Sequence, residues 1–190
     1  MQVKAAKHDA AQGATIVTRR SYPSPVEATV EVKDTESLEQ ATTDPVLKRL
    51  YAYWRQRRGA KRFPSRNEID PLDFGFALGR VSLIEVLDGP RRFRYRLVAT
   101  TLTEHLGYEM TGKYLDEIPE SQMRTYTEAL YAKALAVQAP YHTRDEIVLD
   151  DRRWKHEALV LPLSANDRTI DMLMIYRTTE RPVRVWRDPT

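Results

Sequence analysis

From Pro45 onward, Leu47, Leu50, Tyr51 and Trp54 recur at the i, i+3, i+4, i+7 spacing of one helix face. Asp44 supplies a capping carboxylate, Pro45 a proline at the first helical position, and Gly59 a stop, so a helix is predicted over 44–58. Past a connector at 63–71 the apolar period shortens to 2. Val81–Leu87 and Phe93–Thr100 read as paired strands across Asp88, Gly89 and Pro90, with Phe93, Tyr95 and Leu97 alternating against Arg92, Arg94 and Arg96. A short helix over 101–106 is stopped by Gly107, and a turn covers 114–118. Ser121 is expected to cap a longer helix to about 137, with Met123, Tyr126, Leu130, Ala134 and Val137 on one side. Three strands follow over 142–149, 154–163 and 170–177, the last two apolar at both parities, which predicts that both faces of the sheet are covered there. The order β-β-α-α-α-β-β-β implies an α+β fold: one mostly antiparallel sheet of five strands with its helices on one face, preceded by an N-terminal helix.

The division along the chain follows from the same pattern. Residues 1–43 are polar and broken by Pro23 and Pro25, and read as a flexible arm; 44–75 hold the amphipathic helix and connector, 76–179 the main domain and 180–190 a tail. The apolar stripe of Leu47, Leu50, Tyr51 and Trp54 must be buried against the domain or a second copy, and it is the expected interface of a homodimer.

With 190 residues, 42% of them apolar and 30% charged, the chain suits one soluble domain with appendages. It contains no apolar run of the roughly 20 residues that span a bilayer, and MQVKAAKHDAAQG lacks a signal h-region, so a cytoplasmic location is expected. The chain has no cysteine, which excludes disulfides, thiolate metal sites and cysteinyl-flavin chemistry. The formal charge of +3 is local: residues 48–66 carry eight Lys and Arg and no acid, which leaves the rest of the chain acidic. Such a segment permits a second reading, a nucleic-acid or anionic-membrane binding module.

No set of residues forms a catalytic centre. His156-Glu157 begins like a zincin motif, but position 160 is valine and the segment reads as a strand. Closing the last hairpin over Asp150–Arg153 puts His156 opposite Ile147 and His142 far along the strand, so no paired metal site emerges among His8, His105, His142 and His156. There is no glycine-rich phosphate loop and no triad, and the chain is expected to carry no ATPase or transmitter segment. Candidate ligand-binding residues are His105, Tyr126, Arg96 and His156; arginine and tyrosine together suit an anionic metabolite.

The chain resembles a PAS domain. Within that family it is similar to a bacterial, often single-domain subfamily marked by an L-Y-x-Y-W helix and a P-x-R-x-x-I-D-P connector, here Leu50 to Trp54 and Pro64 to Pro71. The strand-to-helix signature appears at Phe93–Thr100, with Ala99 in place of a glycine, and an L-P-L strand at Leu161, Pro162 and Leu163; the match covers roughly 45–178. The resemblance implies a sheet and central helices around a small cavity, and a non-enzymatic sensor or adaptor. Such a protein would take a small ligand, or a signalling partner through dimerisation. A haem sensor of the known PAS type places its axial histidine on the long central helix, and 121–137 has none, which argues against haem and leaves the cofactor unknown.

Overall fold

The structure, a computed structural model, describes residues 29–31, 35–89, 92–119, 121–149, 152–179 and 183–184. Two short elements lead, β1 (Thr29–Glu31) and α1 (Thr35–Ala41), followed by α2 (Pro45–Arg58) and 3₁₀ turns at Arg66–Glu68 and Pro71–Ala77. Then come β2 (Val81–Val86), β3 (Phe93–Leu97), α3 (Thr100–Leu106), a 3₁₀ turn at Leu115–Glu117, and α4 (Ser121–Val137). The chain closes with β4 (Tyr141–Leu149), β5 (Arg152–Leu163), β6 (Met172–Thr179) and β7 (Val183–Arg184).

All pairings are antiparallel, and the sheet runs β1-β4-β5-β6-β2-β3, with β7 pairing the start of β5. The five long strands, with helices inserted between β3 and β4, make the α+β architecture expected from the pattern. The two faces carry separate cores. Ile84, Tyr95, Tyr141, Val160, Leu173 and Ile175 pack beneath α3 and α4 on what we term the inner face. Leu83, Leu159, Leu161, Leu163, Met174 and Tyr176 pack on the outer face against α2 and the Pro71–Ala77 turn. This is why β5 and β6 are apolar at both parities.

Helix α2 begins where its sequence demands. Asp44 Oδ1 accepts from the backbone N–H groups of Val46 and Leu47 at 2.8 and 3.2 Å, and the Gly59 N–H closes the far end on the Arg55 carbonyl. The apolar stripe turns inward within the same chain: Leu47, Leu50 and Trp54 are 0% exposed and Tyr51 3%. The Trp54 indole N–H donates to the Pro162 carbonyl at 2.9 Å. These four residues, expected at a dimer interface, are therefore core, because the outer face of β5 and β6 lies within reach of their own helix.

Part of the segment read as an arm is structured. Thr29–Glu31 extends the sheet along Tyr141–Thr143, and Leu38 of α1 is buried in the outer core. The remainder of that reading, over 1–28 and 32–34, lies outside the described residues, as does all of the 180–190 tail except Val183 and Arg184, which pair with β5. The β4–β5 register also differs from expectation: Asp145, not Ile147, lies opposite His156, and Ile147 faces Trp154. The ladder continues to Leu149 and Arg152, where the sequence suggests a closure over 150–153. A slip of two keeps every side chain on its face. Ser121 lies within the first turn of α4 instead of ahead of it.

Candidate functional site

The motifs quoted above converge on the outer face as a scaffold. Tyr53 OH accepts from the Asp70 N–H at 2.9 Å, joining the helix motif to the connector. Glu68 accepts from the Ser65 N–H at 2.8 Å and Arg66 donates to the Ile69 carbonyl at 2.7 Å, which locks the connector into its turn. The Ser164 N–H, just past Leu163, donates to the Pro64 carbonyl at 3.0 Å. Asp167, in the β5–β6 turn, accepts from the N–H groups of Arg62 and Phe63 at 2.8 and 2.9 Å. These residues hold segments together.

The basic segment is engaged in the same scaffold. The guanidinium of Arg49 lies 3.9 Å from the Phe76 ring centroid, and those of Arg57, Arg58 and Arg62 lie over Tyr53, Trp54 and Phe63. Arg57 and Lys61 also pair with Asp73 and Glu68, each at 2.5 Å.

A second polar assembly joins the N-terminal elements to the sheet. Glu157 accepts from the Thr42 hydroxyl at 2.5 Å and from Arg144 at 2.6 Å, with His142 Nε2 at 3.5 Å. Burial pushes the Glu157 carboxyl up, yet the Thr42 and Arg144 hydrogen bonds and the charges of Arg144 and His142 outweigh it and hold it below the usual glutamate value. Arg144 also donates to the Ala41 carbonyl at 3.0 Å. Alongside, Arg80 donates to Tyr176 OH at 3.3 Å and Tyr176 donates to Asp44 Oδ2 at 3.0 Å, so the α2 cap is tied to β6.

The inner face holds the candidate site. Strand alternation places Thr143 two residues beyond Tyr141, and Arg177 two beyond Ile175, on the inner side. Thr143 faces Ala158 across one ladder and Ala158 faces Arg177 across the next, so the three form one row; the adjacent row carries His156 between Asp145 and Thr179. From above, α4 brings Leu130, whose carbonyl accepts from Tyr141 OH, and Tyr131, whose hydroxyl donates to Tyr95 OH at 3.3 Å. Thr127 lies one turn earlier on this face of α4. Thr127 and Thr143 are buried at 1% and 0% exposure, and neither Oγ1 has a hydrogen-bond partner among the described residues. Burial raises the Tyr95 phenol and lifts Tyr131 well above the ordinary tyrosine value, while the positive charge of Arg177 pulls both the other way.

Of the residues proposed from the sequence, His156 and Tyr126 are buried, His156 on the inner face and Tyr126 on α4 beside Thr127. Arg96 is not an interior residue: it is exposed at the irregularity where β3 shifts register against β2. His105 lies in α3, and its side chain is outside the described residues. Arg124 serves its own helix, donating to the Ile118 carbonyl at 2.6 Å. Thr127, Thr143 and Arg177 were not singled out from the sequence; a charged residue at the inward parity that follows Leu173 and Ile175 is the signal that marks Arg177, whereas Thr143 sits in the polar run of β4 and carries none. Among the described residues no group of three or more His, Asp or Glu side chains is placed to hold a metal ion.

The family model for the PAS domain matches residues 42–175. The chain belongs to the PAS domain family. That range spans α2 to β6, so the capped helix on the outer face is part of the matched region along with the sheet. PAS domains are sensory and signalling modules and generally not enzymes. No curated protein and no solved structure matches the chain. Among the described residues, no helix of this PAS domain is long and apolar enough to cross a membrane.

Proposed function

We propose that this PAS domain is a cytoplasmic, non-enzymatic sensor or adaptor of the subfamily marked by the L-Y-x-Y-W and P-x-R-x-x-I-D-P motifs. In this reading, occupancy of its interior by a small molecule alters how its N-terminal elements pack, and through them its pairing with a partner or a second copy. One observation carries the reading: β5 and β6 present their two sides to the two halves of such a device. On β5, His156 and Ala158 face the interior while the intervening Glu157 holds Thr42 and, through Arg144, the end of α1. On β6, Arg177 faces the interior while the neighbouring Tyr176 holds the Asp44 cap of α2. A shift in the inner row is one peptide unit from the groups that fasten the N-terminal elements.

Native mass spectrometry and light scattering test the proposal directly. The expected result is a bound small molecule or a concentration-dependent change of mass; an empty monomer at every concentration, with no captured partner, counts against it. The competing reading, nucleic acid or anionic membrane bound through residues 48–66, draws on arginines that already stack on rings and pair with acids. It requires affinity that falls steeply with salt.

A further inference from the structure

We propose that the polar end of the interior binds a small carboxylate-bearing molecule, its oxygens accepting from the Thr127 and Thr143 hydroxyls with Arg177 as the countercharge. The proposal rests on the sensor reading and names the ligand class of that site.

Thr127 and Thr143 are the starting point. Each is buried, and each keeps a hydroxyl with no partner among the described residues. Valine has nearly the same shape without the hydroxyl, so a buried hydroxyl that finds no partner lowers stability relative to it. Buried polar groups of this kind are ordinarily met by water or a ligand. They come from the two surfaces that enclose the interior, Thr127 from α4 and Thr143 from β4. Between Thr143 and Arg177 the row is occupied by Ala158, whose methyl group fills little of the space that a larger side chain would take.

The sign of the ligand's charge comes from Arg177. Strand parity puts it on the inner side, two residues beyond Ile175 and in the same row as Ala158 and Thr143, and its positive charge opposes the rise of the Tyr95 and Tyr131 phenols. A guanidinium in the same strand row as one of the two hydroxyls suits a carboxylate, which accepts hydrogen bonds at both oxygens and donates none. A neutral amide of the same shape would bring an NH₂ group toward the cation. Arg177 is only partly buried, whereas the threonines are fully so, which orients the row from an accessible end to a closed one.

The test uses the full chain with two matched series at constant ionic strength: acetate, lactate, succinate and benzoate, and the corresponding amides. Thermal melting and calorimetry are read on the native protein and on Thr127→Val, Thr143→Val and Arg177→Met. We expect at least one carboxylate to raise Tm with concentration while its amide does not. Each valine variant melts at or above the native Tm without ligand and binds the carboxylate about tenfold more weakly, one lost hydrogen bond to a charged group. Arg177→Met removes the preference for carboxylate over amide. Equal binding of acids and amides, with the valine variants still weakened, overturns the charge assignment and leaves the sensor reading standing. Carboxylate binding unchanged by the valines, or no binding in either series, overturns the site, while a partner-dependent change of mass in the preceding experiment still supports the sensor.

Discussion

Trp54 shows how one side chain can fix the relation of two elements. Its ring is fully buried on the outer face, and its one polar atom meets the carbonyl of Pro162, a residue that lacks an N–H and leaves its side of the ladder incomplete. Trp54→Phe keeps most of the apolar contact but opens a small cavity and orphans that carbonyl, at a cost of about 2–4 kcal/mol; urea unfolding followed by circular dichroism measures it. Glu157 is the polar counterpart. Because its carboxyl is held below the ordinary value, its contribution is fully present above about pH 4.3 and is lost as the pH falls through the lower folded value. Glu157→Gln therefore lowers stability at neutral pH and flattens the acid limb of the stability curve. If the two proteins differ equally at pH 7 and at pH 2, Glu157 does not act through its charge.

At the scale of elements, caps and turns explain where each segment starts and stops. Asp44 serves two purposes, one carboxylate oxygen capping α2 and the other accepting from Tyr176. Its replacement by alanine costs about 1–2 kcal/mol from the cap alone, and Asn, which keeps an acceptor oxygen, restores most of this in chemical denaturation. Gly107 ends α3 at φ 78°, ψ 7°, in the left-handed region, with open space around the missing Cβ. The cost of Gly107→Ala is then backbone strain alone, about 1–2 kcal/mol, visible as a lower Tm. β1 and α1 are fastened by one short ladder, by Leu38, and by the Thr42 and Arg144 contacts to Glu157. A chain beginning at residue 45 should unfold at lower denaturant than one beginning at 29, since it loses a buried leucine and the Asp44 cap together.

The whole molecule is a sheet between two cores of different character. The outer core packs α2 with aromatic rings and overlying arginines; the inner core sets phenols among aliphatic side chains, with Thr143 and Arg177 in the adjoining strand row. The buried phenols set the alkaline limit. Tyr95 and Tyr131 are raised by burial, so their contribution is complete below the unfolded value of about 10 and is lost as pH rises above it toward the folded values. Stability should thus decline above about pH 10, and Tyr131→Phe should soften the decline; absorbance of tyrosinate during pH-jump unfolding reports whether ionisation waits for unfolding.

How much of this was legible depends on how local its cause is. Helix α2, the hairpin of β2 and β3, the Gly107 stop and the two-sided burial of β5 and β6 each follow from periodicity and turn chemistry within a few residues, and these are enough to order the elements and imply the architecture. The apolar stripe of α2 announced that it would be buried but not against what. Only the folded sheet, which presents Tyr176 on its outer face and the Pro162 carbonyl to Trp54, decided for the same chain. The interior site was the least legible part. Arg96 and Arg177 look alike in a sequence, and a register irregularity exposes one while an unbroken ladder carries the other into the row with Ala158 and Thr143. Short-range preferences act between neighbours along the chain and so are written in the sequence; partners in a row come from three strands and a helix far apart in it, and only the assembled sheet brings them together.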